Sequence, residues 1–514
     1  MDPSSYQLPV RMLVVLGVVV HLLLVASIFD IHFQTPVVRG LDPVWPTMEA
    51  PAQRLVIFVA DGLRADKFFE IGAQRHRAGE AFLHTIARER GRWGVSHARP
   101  PTESRPGHVA ILGGFYEDPS AITKGWQANP VEFDHILNRS SAAWGIGSPD
   151  IVPLFTKGIA HASGAMYSVE LQDFSSAALA QLDVWAFDRL EDLLRRAGLS
   201  APPADPLDSD DPWRDLPVGT ELDHRLRQSG VVIFLHLLGL DSNGHAYRPS
   251  SEEYLANIAI VDEGVARTER LVQEFFGDNK TAFIFTADHG MSNKGSHGDG
   301  SPDNTETPLL SWGAGSDHHP ISDREAGFHQ HVDGCPARGP TPPEWLLDHA
   351  MRMDVDQADI APLAASLLGR PIPLNSVGLL PTAYLNLPLP AMAEAMLANA
   401  RQLLAQVARK AEVAATSCIS SALHFAPYSP LANSTEVSVV ILLELAFPRL
   451  LAASPGGEPG QLPVKLCNGR GKRARSGDGD WDEGARGGAK GRGVSAATTS
   501  DEGPPPIRCA DALT

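Results

Sequence analysis

The sequence predicts an α/β fold with a mostly parallel central sheet flanked by helices. Three nearly continuous apolar runs, each followed by a polar cluster, and a long helical pattern between two of them support this prediction. Strands of a parallel sheet are apolar throughout because helices cover both of its faces. Strands that alternate with helices are therefore expected to form one open sheet.

The three predicted strands each lead to a carboxylate. They are the runs LVIFVA, VVIFLHLL and AFIFT, which begin at Leu55, Val231 and Ala282. Asp61, Asp241 and Asp288 follow them in that order. The carboxyl ends of parallel strands meet at one edge of a sheet, where ligands bind. We therefore expect these three aspartates to lie close together in space.

A helix is predicted between the second and third strands, from Ser251 to Phe276. Its apolar residues recur at steps of three and four, as in one buried face of an amphipathic helix. These residues are Leu255, Ile258, Val261, Val265 and Leu271. A helix in this position makes the parallel connection that the sheet requires.

Length and composition limit the class of protein. A chain of 514 residues with 43% hydrophobic and 20% charged residues has ordinary globular usage and room for one large catalytic domain. The formal net charge of -18 argues against a nucleic-acid partner. The four cysteines form no CxxC pair, which excludes a thiolate zinc site of that type.

An apolar segment from Met12 to Phe29 predicts a transmembrane helix near the N-terminus. It carries no formal charge and is long enough to cross most of a bilayer core. Arg11 precedes it, which favours a cytosolic N-terminus and an uncleaved signal anchor. The remaining chain would then be lumenal. Three glycosylation sequons, expected of a lumenal glycoprotein, begin at Asn138, Asn279 and Asn433.

The polar clusters after the second and third strands have the composition of a metal site. Their potential ligands are Asp241, His245, Asp288, His289 and His297. Each cluster alone is compatible with a turn or a helix cap, but the joint pattern favours metal binding. Mixed oxygen and imidazole ligands suit zinc, with manganese possible. Together with Asp61 they predict two ions, which can clamp both oxygens of an in-line displacement at phosphorus.

A hydroxyl nucleophile is expected in the segment from Pro101 to His108, before a helical pattern. Thr102 and Ser104 both lie where a loop enters a helix, and free backbone N–H groups there favour an anion. Either hydroxyl is a candidate to attack phosphorus. Helix capping is the alternative role, since Ser and Thr are preferred at that position.

Four motifs together resemble the alkaline phosphatase superfamily, and more closely the glycosylphosphatidylinositol (GPI) ethanolamine phosphate transferase 1 family. They are VADGLRAD, PTESRPGHVAIL, HLLGLDSNGHAYRP and FTADHGMSNKGSHGDG. The resemblance extends to about Ala400 and includes the segment 359–378. It implies an alkaline-phosphatase-like fold.

The resemblance also implies roles for particular residues. Thr102 would be the nucleophile, and the two zinc ions would be held by Asp61, Thr102, Asp288 and His289 and by Asp241, His245 and His297. Ethanolamine phosphate would pass from phosphatidylethanolamine, through a phospho-threonine, to the first mannose of a GPI precursor. This transfer would take place in the lumen of the endoplasmic reticulum. His108, Asn375, Arg64 and Arg105 are weaker candidates for contacts to phosphate or acceptor.

The family carries a multi-span membrane region that has no counterpart here, since the run from Val437 is interrupted by Glu444, Pro448 and Arg449. We therefore expect a signal anchor in 1–34, a lumenal catalytic domain in 35–400 and a partly disordered tail in 401–514. Two alternatives remain. The chain is a metal-dependent phosphodiesterase of the same superfamily, or a truncated homologue without catalysis.

Overall fold

A computed structural model describes residues 4–32, 36–117, 133–172, 179–199, 211–316, 339–348 and 350–416. All of them belong to the first of two units of the chain, Met1–Ala452. Their strands are β1 (Arg54–Ala60), β2 (Arg92–His97), β3 (Ala142–Gly147), β4 (Ala162–Met166), β5 (Val231–Leu237), β6 (Thr281–Thr286), β7 (Glu306–Gly313) and β8 (Val355–Asp356).

These strands form one sheet in the order β4-β3-β5-β1-β6-β7-β2-β8. The pairs β4/β3, β3/β5, β5/β1, β1/β6 and β2/β8 are parallel, whereas β7 runs antiparallel to both of its neighbours. The predicted α/β fold with a mostly parallel sheet is therefore confirmed. The antiparallel strand β7 lies outside the central group of strands that carries the three aspartates.

The register of the central strands places their carboxyl ends at one edge. Ala60, the last residue of β1, lies opposite Leu237 of β5, and Val59 lies opposite Thr286 of β6. All three strands predicted from the apolar runs are confirmed, and each begins within one residue of its predicted start. The polar segments that follow them consequently emerge side by side.

The described residues also form α-helices, several of which pack against the two faces of the sheet. They are α1 (Ser4–His32), α2 (Ala65–Ala78), α3 (Phe82–Thr85), α4 (Ser104–Gly113), α5 (Ile136–Arg139), α6 (Val152–Thr156), α7 (Gln181–Ala197), α8 (Thr220–Leu226), α9 (Gly239–Tyr247), α10 (Glu252–Phe276), α11 (Pro302–Thr305), α12 (Ile360–Leu367) and α13 (Leu389–Thr416). A π-helical turn spans Ile86–Arg90 and 3-10 turns span Val169–Gln172, Pro343–Trp345, Gln357–Asp359 and Thr382–Tyr384.

The alternation of side chains along β1 explains its continuously apolar sequence. Val56 and Phe58 belong to one buried hydrophobic cluster, and Leu55, Ile57 and Val59 belong to another. Successive side chains of a strand point to opposite faces, so each cluster fills one side of the sheet. Both faces of β1 are therefore buried, as the apolar run predicts.

The predicted helix before β6 is confirmed as α10. Ser251 is its N-cap, and the Tyr254 backbone N–H donates to the Ser251 hydroxyl at 3.2 Å. Ile258, Val261 and Val265 are buried, while the other two residues of the predicted face, Leu255 and Leu271, are partly buried against the core. The three- and four-residue spacing thus identified the buried face correctly.

The apolar N-terminal segment is helical, as predicted. Within α1, the segment Val10–Ile28 has 19 residues, a mean hydropathy of 2.4 and no buried residue. Its length and composition suffice to cross a membrane, and a signal sequence near the N-terminus has the same properties. The orientation of the helix across a membrane stays a prediction.

The predicted end of the catalytic domain at residue 400 falls inside α13. Beyond that boundary, Gln402 and Gln406 are buried and donate hydrogen bonds to the Ser376 carbonyl at 2.9 and 2.6 Å. Helix α13 therefore still packs against the domain at Gln406, because its polar side chains satisfy buried carbonyls of the neighbouring loop. Of the sequons, Asn279 is exposed, whereas Asn433 and the run from Val437 lie outside the described residues.

The turn after β1 depends on one buried phenol. Gly62 adopts a φ of 72°, and a side chain there would place its Cβ 2.8 Å from the Asp241 backbone. The Tyr254 hydroxyl donates to the Gly62 carbonyl at 2.8 Å and accepts from the Arg64 N–H at 3.2 Å. Tyr254 is fully buried, so α10 holds the turn that presents Asp61.

Replacing Tyr254 with Phe should lower the free energy of unfolding by about 1–3 kcal/mol, because two buried backbone groups lose their partner. Urea denaturation of the detergent-solubilised chain measures this change. Tyr247→Phe is the matched control, since Tyr247 is only partly buried. Equal stability of the two variants would contradict the role of Tyr254.

Candidate metal centre

Three aspartates converge at the carboxyl edge of the sheet, as predicted. Asp61 directly follows β1, Asp241 lies in the first turn of α9, and Asp288 follows β6 by two residues. Asp61 and Asp288 are fully buried, and Asp241 is 7% exposed. Asp288 Oδ1 accepts from the backbone N–H groups of Gly62 at 3.2 Å and His289 at 2.8 Å. The turn after β1 and the turn after β6 are thereby joined.

Three histidines complete the arrangement. His289 Nε2 lies 3.3 Å from Asp61 Oδ1 and 3.5 Å from Asp288 Oδ2. His245 Nε2 and His297 Nε2 lie 3.4 and 3.7 Å from Asp241 Oδ1 and 3.1 Å from each other. The six predicted aspartate and histidine ligands therefore form two adjoining groups.

The backbone fixes the tautomer of each imidazole. Nδ1 of His245, His289 and His297 lies 2.9, 2.9 and 2.8 Å from the carbonyl oxygens of Gly295, Gly290 and Thr102. A carbonyl oxygen only accepts, so each Nδ1 carries the proton and donates it. Each neutral ring then presents an unprotonated Nε2 to the carboxylates, which is the arrangement that metal-binding histidines require.

Two carboxylate oxygens lack the hydrogen bonds that burial demands. Among the described residues, no donor satisfies Asp241 Oδ1 or Asp288 Oδ2. Asp61, Asp288 and His289 offer ligand atoms within 4.8 Å of one another, and so do Asp241, His289 and His297. Buried oxygens that face nitrogen lone pairs need a cation between them. The donor set therefore fits two divalent ions.

The electrostatic properties of the centre agree with cation binding. Burial, together with the neighbouring charges of Asp288 and Asp241, raises the pKa of Asp61 well above its usual range. Burial would lower the pKa of His289, but Asp288, Asp61 and Asp241 raise it to about 9. The clustered carboxylates thus favour bound positive charge, including protons. Divalent cations supply the same compensation and displace those protons when they bind.

The hydroxyl nearest to this centre is Ser104, not Thr102. Ser104 Oγ lies 3.4 Å from Asp61 Oδ1 and 3.4 Å from His289 Nε2. The Thr102 hydroxyl instead donates to the Asp299 carbonyl at 2.8 Å and accepts from the Gly298 N–H at 2.9 Å. Ser104 is half-buried, whereas Thr102 is 2% exposed. These contacts count against Thr102 as nucleophile and ligand, and favour Ser104.

Thr102 does not cap the following helix either. The N-cap of α4 is Glu103, and its side chain makes no capping hydrogen bond. Thr102 instead fixes the segment after His297 through its hydroxyl, and its carbonyl accepts from His297 Nδ1. Through these contacts, Thr102 orients the loop that carries His297.

Two buried histidines adjoin the centre, and the ligand prediction includes neither of them. His236, on β5, places Nε2 2.9 Å from Asp61 Oδ2. His108, on α4, places Nδ1 2.7 Å from the Ser104 carbonyl and 3.3 Å from Asp288 Oδ2. The sequence signal for His236 is a lone polar residue inside an apolar strand. His108 was a weak candidate for substrate contact, and it contacts the backbone of Ser104 instead.

The other three weaker candidates for contact with phosphate or acceptor make structural contacts instead. Arg64 pairs with Asp66 and Asp303 at 2.7 and 2.8 Å, and Arg105 pairs with Glu117 at 3.0 Å. The Asn375 side chain accepts from the Val38 N–H at 2.6 Å. These three side chains therefore stabilise loops around the centre.

The helix that carries Asp241 and His245 begins at a buried carboxylate. Asp183 on α7 is fully buried and accepts from the Gly239 N–H at 2.8 Å and the Asn257 amide at 2.9 Å. Burial raises the pKa of Asp183 to about 7, although both hydrogen bonds lower it. A carboxyl with a raised folded-state pKa stabilises the fold below its unfolded pKa and loses that contribution as pH rises through its folded pKa.

The free energy of unfolding of the wild-type chain should therefore contain a contribution from Asp183. This contribution should decrease between about pH 4 and pH 7, by at most about 4 kcal/mol. Asp183→Asn should remove this component, because its amide does not ionise. Urea unfolding across this pH range measures the difference between the two proteins. Asp192→Asn is the control, since Asp192 lies on the same helix and its side chain is 43% exposed. Parallel pH profiles for wild type and Asp183→Asn would contradict the assignment.

The part of the chain that contains the centre matches a known family model. Residues 55–299 match the family model described as type I phosphodiesterase / nucleotide pyrophosphatase. This range contains all seven residues predicted for the site.

Two solved structures are similar at low identity. The alkaline phosphatase PafA has TM-score 0.41 at 11% identity, over 66% of this chain and 100% of that chain. Lipooligosaccharide phosphoethanolamine transferase A from Neisseria meningitidis has TM-score 0.34 at 12% identity, over 66% of this chain and 58% of that chain.

Sequence relatives are much more similar. GPI ethanolamine phosphate transferase 1 of Aspergillus oryzae is 45% identical over 84% of this chain and 40% of its own length. The Homo sapiens protein of the same name is 42% identical over 83% of this chain and 42% of its own length. The chain thus spans about two fifths of the length of the curated relatives that it matches. By sequence, it belongs to the GPI ethanolamine phosphate transferase 1 family.

Proposed function

We propose that the protein transfers ethanolamine phosphate from phosphatidylethanolamine to the first mannose of a GPI precursor. The observation that supports this most directly is the position of the Ser104 hydroxyl. It lies at the N-terminus of α4 and 3.4 Å from both Asp61 Oδ1 and His289 Nε2. The names of the relatives support ethanolamine phosphate as the transferred group and a GPI as the acceptor, while the lipid donor and the first mannose are part of the proposal.

Two divalent ions are part of the proposal. Asp61, Asp288 and His289 would hold one ion, and Asp241, His245 and His297 would hold the other. Zinc suits this mixture of carboxylate and imidazole ligands best, and manganese is the alternative. Such ions polarise phosphoryl oxygens and stabilise the deprotonated form of a nearby hydroxyl.

The residues of the chain support a two-step transfer. In the first step, Ser104 Oγ attacks phosphorus, the bond from phosphorus to the diacylglycerol oxygen breaks, and diacylglycerol leaves with a proton. The product is a phosphoethanolamine diester on Ser104. In the second step, a mannose hydroxyl attacks phosphorus and Ser104 Oγ leaves and regains its proton. A covalent intermediate of this kind divides one exchange between alcohols into two displacements.

The N-terminus of α4 supports the phosphate. A helix of ten residues has unpaired N–H groups and a positive dipole end at its first turn. A Cβ at Gly107 would lie 2.7 Å from the Asp288 carbonyl oxygen, so glycine permits α4 to approach the ligand loop this closely. The nucleophile, the helix dipole and Asp288 are thereby kept together.

The location follows from the same proposal. The helix Val10–Ile28 would anchor the protein in the endoplasmic reticulum membrane with the catalytic domain in the lumen, where both lipid substrates are accessible. Zinc, the two lipids and the membrane are then its partners. The phospho-threonine that the sequence resemblance implied is replaced in this proposal by a phospho-serine at position 104.

A metal-dependent phosphodiesterase is the second candidate function. The match to the phosphodiesterase family model favours it, because it covers the whole candidate centre. In that case water would attack the Ser104 diester in place of mannose. Incubation with labelled phosphatidylethanolamine, with and without a mannosylated GPI precursor, distinguishes the two. Free ethanolamine phosphate formed at the same rate in both samples would identify a hydrolase.

Ser104→Ala should reduce transfer at least about 10³-fold and abolish the covalent intermediate, because no other half-exposed hydroxyl contacts both Asp61 and His289 among the described residues. Phosphopeptide mapping of protein quenched with labelled donor measures the intermediate. Thr102→Ser is the matched control, since it keeps the hydroxyl that bonds to Gly298 and Asp299 and should retain the label. Label on residue 102 in the wild-type protein would refute the assignment to Ser104.

Removing divalent metal should lower the stability of the domain and abolish transfer. Re-adding zinc at 100 times its Kd should restore about 2.7 kcal/mol per site. The affinity should rise with pH by up to about tenfold per pH unit below about pH 9, because binding displaces the proton of His289. Thermal unfolding in chelator and in zinc buffers, measured from pH 6 to pH 9, checks both effects. An unfolding temperature unaffected by chelator would contradict the metal proposal.

A further inference from the structure

His236 differs from the three histidines of the ligand groups in the backbone group that its Nδ1 faces, which is an N–H instead of a carbonyl oxygen. Its Nδ1 lies 3.3 Å from the backbone nitrogen of Ser148, and its Nε2 lies 2.9 Å from Asp61 Oδ2. Both His236 and Asp61 are fully buried. His236 therefore joins the turn after β3 to the first carboxylate of the centre.

The Ser148 N–H determines the tautomer of His236. A backbone N–H only donates, so Nδ1 accepts and carries no proton. The proton of the neutral ring must then be on Nε2, from which it is donated to Asp61 Oδ2. His245, His289 and His297 have the opposite tautomer, because their Nδ1 atoms face carbonyl oxygens. The backbone thus makes Nε2 of His236 a hydrogen-bond donor, whereas Nε2 of each of the other three histidines presents a lone pair.

The structure holds Ser148 in this position by several contacts. Gly147 adopts a φ of 143°, and a Cβ there would lie 2.4 Å from the His236 carbonyl oxygen. Only glycine permits this approach of β3 to β5. The Ser148 hydroxyl accepts from the Asp150 N–H at 3.1 Å and from the Gln172 amide at 3.2 Å. The N–H that sets the tautomer is therefore fixed from both sides.

A third metal ion at Asp61, His108 and His236 is the competing interpretation, since these residues offer ligand atoms within 4.8 Å of one another. An ion bound to His236 Nε2 would move the proton to Nδ1, where it would face the Ser148 N–H. Two donors would then oppose each other in a buried position, which is costly. The geometry therefore disfavours metal binding by His236.

We propose that His236 is a positioning residue for Asp61. It donates a hydrogen bond to Asp61 Oδ2 and thereby directs Asp61 Oδ1 toward Ser104 Oγ and His289 Nε2, at 3.4 and 3.3 Å. Asp61 consequently presents a single oxygen to the ion beside Ser104. Hydrogen bonds of this kind to a metal ligand typically contribute 10- to 100-fold in metal affinity. The inference depends on the two-metal site proposed above.

The test compares His236→Phe and His236→Gln in the full chain solubilised in detergent. His236→Phe keeps a ring but removes the donor, whereas the Gln amide places an N–H close to the former Nε2. Zinc affinity is measured by competition with a chelator, and bound metal is counted by elemental analysis. We expect His236→Phe to lose about 10- to 100-fold in affinity at one of two sites, and His236→Gln to recover most of that loss.

His84→Phe is the matched control, because His84 is 2% exposed and its Nε2 contacts the Trp345 carbonyl at 2.8 Å, outside the centre. It should lower the unfolding temperature in chelator without changing zinc affinity. Unchanged affinity in His236→Phe, or equal loss in His236→Phe and His236→Gln, would overturn the proposal. Three ions in wild type and two in His236→Phe would also overturn it, since His236 would then be a ligand. A wild-type protein that binds no zinc would instead refute the proposed function.

Discussion

The centre of this protein depends on the repulsion among three buried carboxylates. Asp61, Asp241 and Asp288 meet where water is excluded, and ligand atoms of two of them lie within 4.8 Å. Two like charges at this distance repel by about 3–4 kcal/mol at an effective dielectric constant of about 20. Within the described part of the centre no arginine or lysine pairs with these carboxylates, and their side-chain neighbours are histidines. A fold that maintains this repulsion needs cations at the site.

The parallel sheet brings the carboxylates together, and the backbone then prepares the other ligands. Because β5, β1 and β6 are adjacent and in register, the segments that follow them emerge at one edge. The carbonyls of Gly295, Gly290 and Thr102 hold three imidazoles with Nε2 directed inward, while the Ser148 N–H holds His236 in the opposite tautomer. The chain thus assigns ligand and donor roles to chemically identical side chains through the backbone groups that they face.

The sequence was sufficient to predict the sheet, the helix before β6 and the convergence of six candidate ligands, because apolar runs and terminal carboxylates are local patterns. It was insufficient to choose between Thr102 and Ser104. These residues are two positions apart, and only the contact of Thr102 with Gly298 and Asp299, almost 200 residues later, separates their roles. His236 was hidden inside a strand for the same reason, since its partner Asp61 is 175 residues away. The predicted domain end at residue 400 falls inside α13, and the contacts of Gln402 and Gln406 with Ser376 beyond it are also long-range.

The account as a whole requires two cations at the carboxyl edge of the sheet. Anomalous diffraction from crystals of the zinc-loaded protein, collected on both sides of the zinc absorption edge, tests this requirement most directly. The account predicts two peaks, one between Asp61, Asp288 and His289 and the other between Asp241, His245 and His297, with Ser104 Oγ next to the first. A zinc-loaded crystal in which this cluster contains no anomalous peak, and its carboxylates are instead joined by hydrogen bonds, would contradict it.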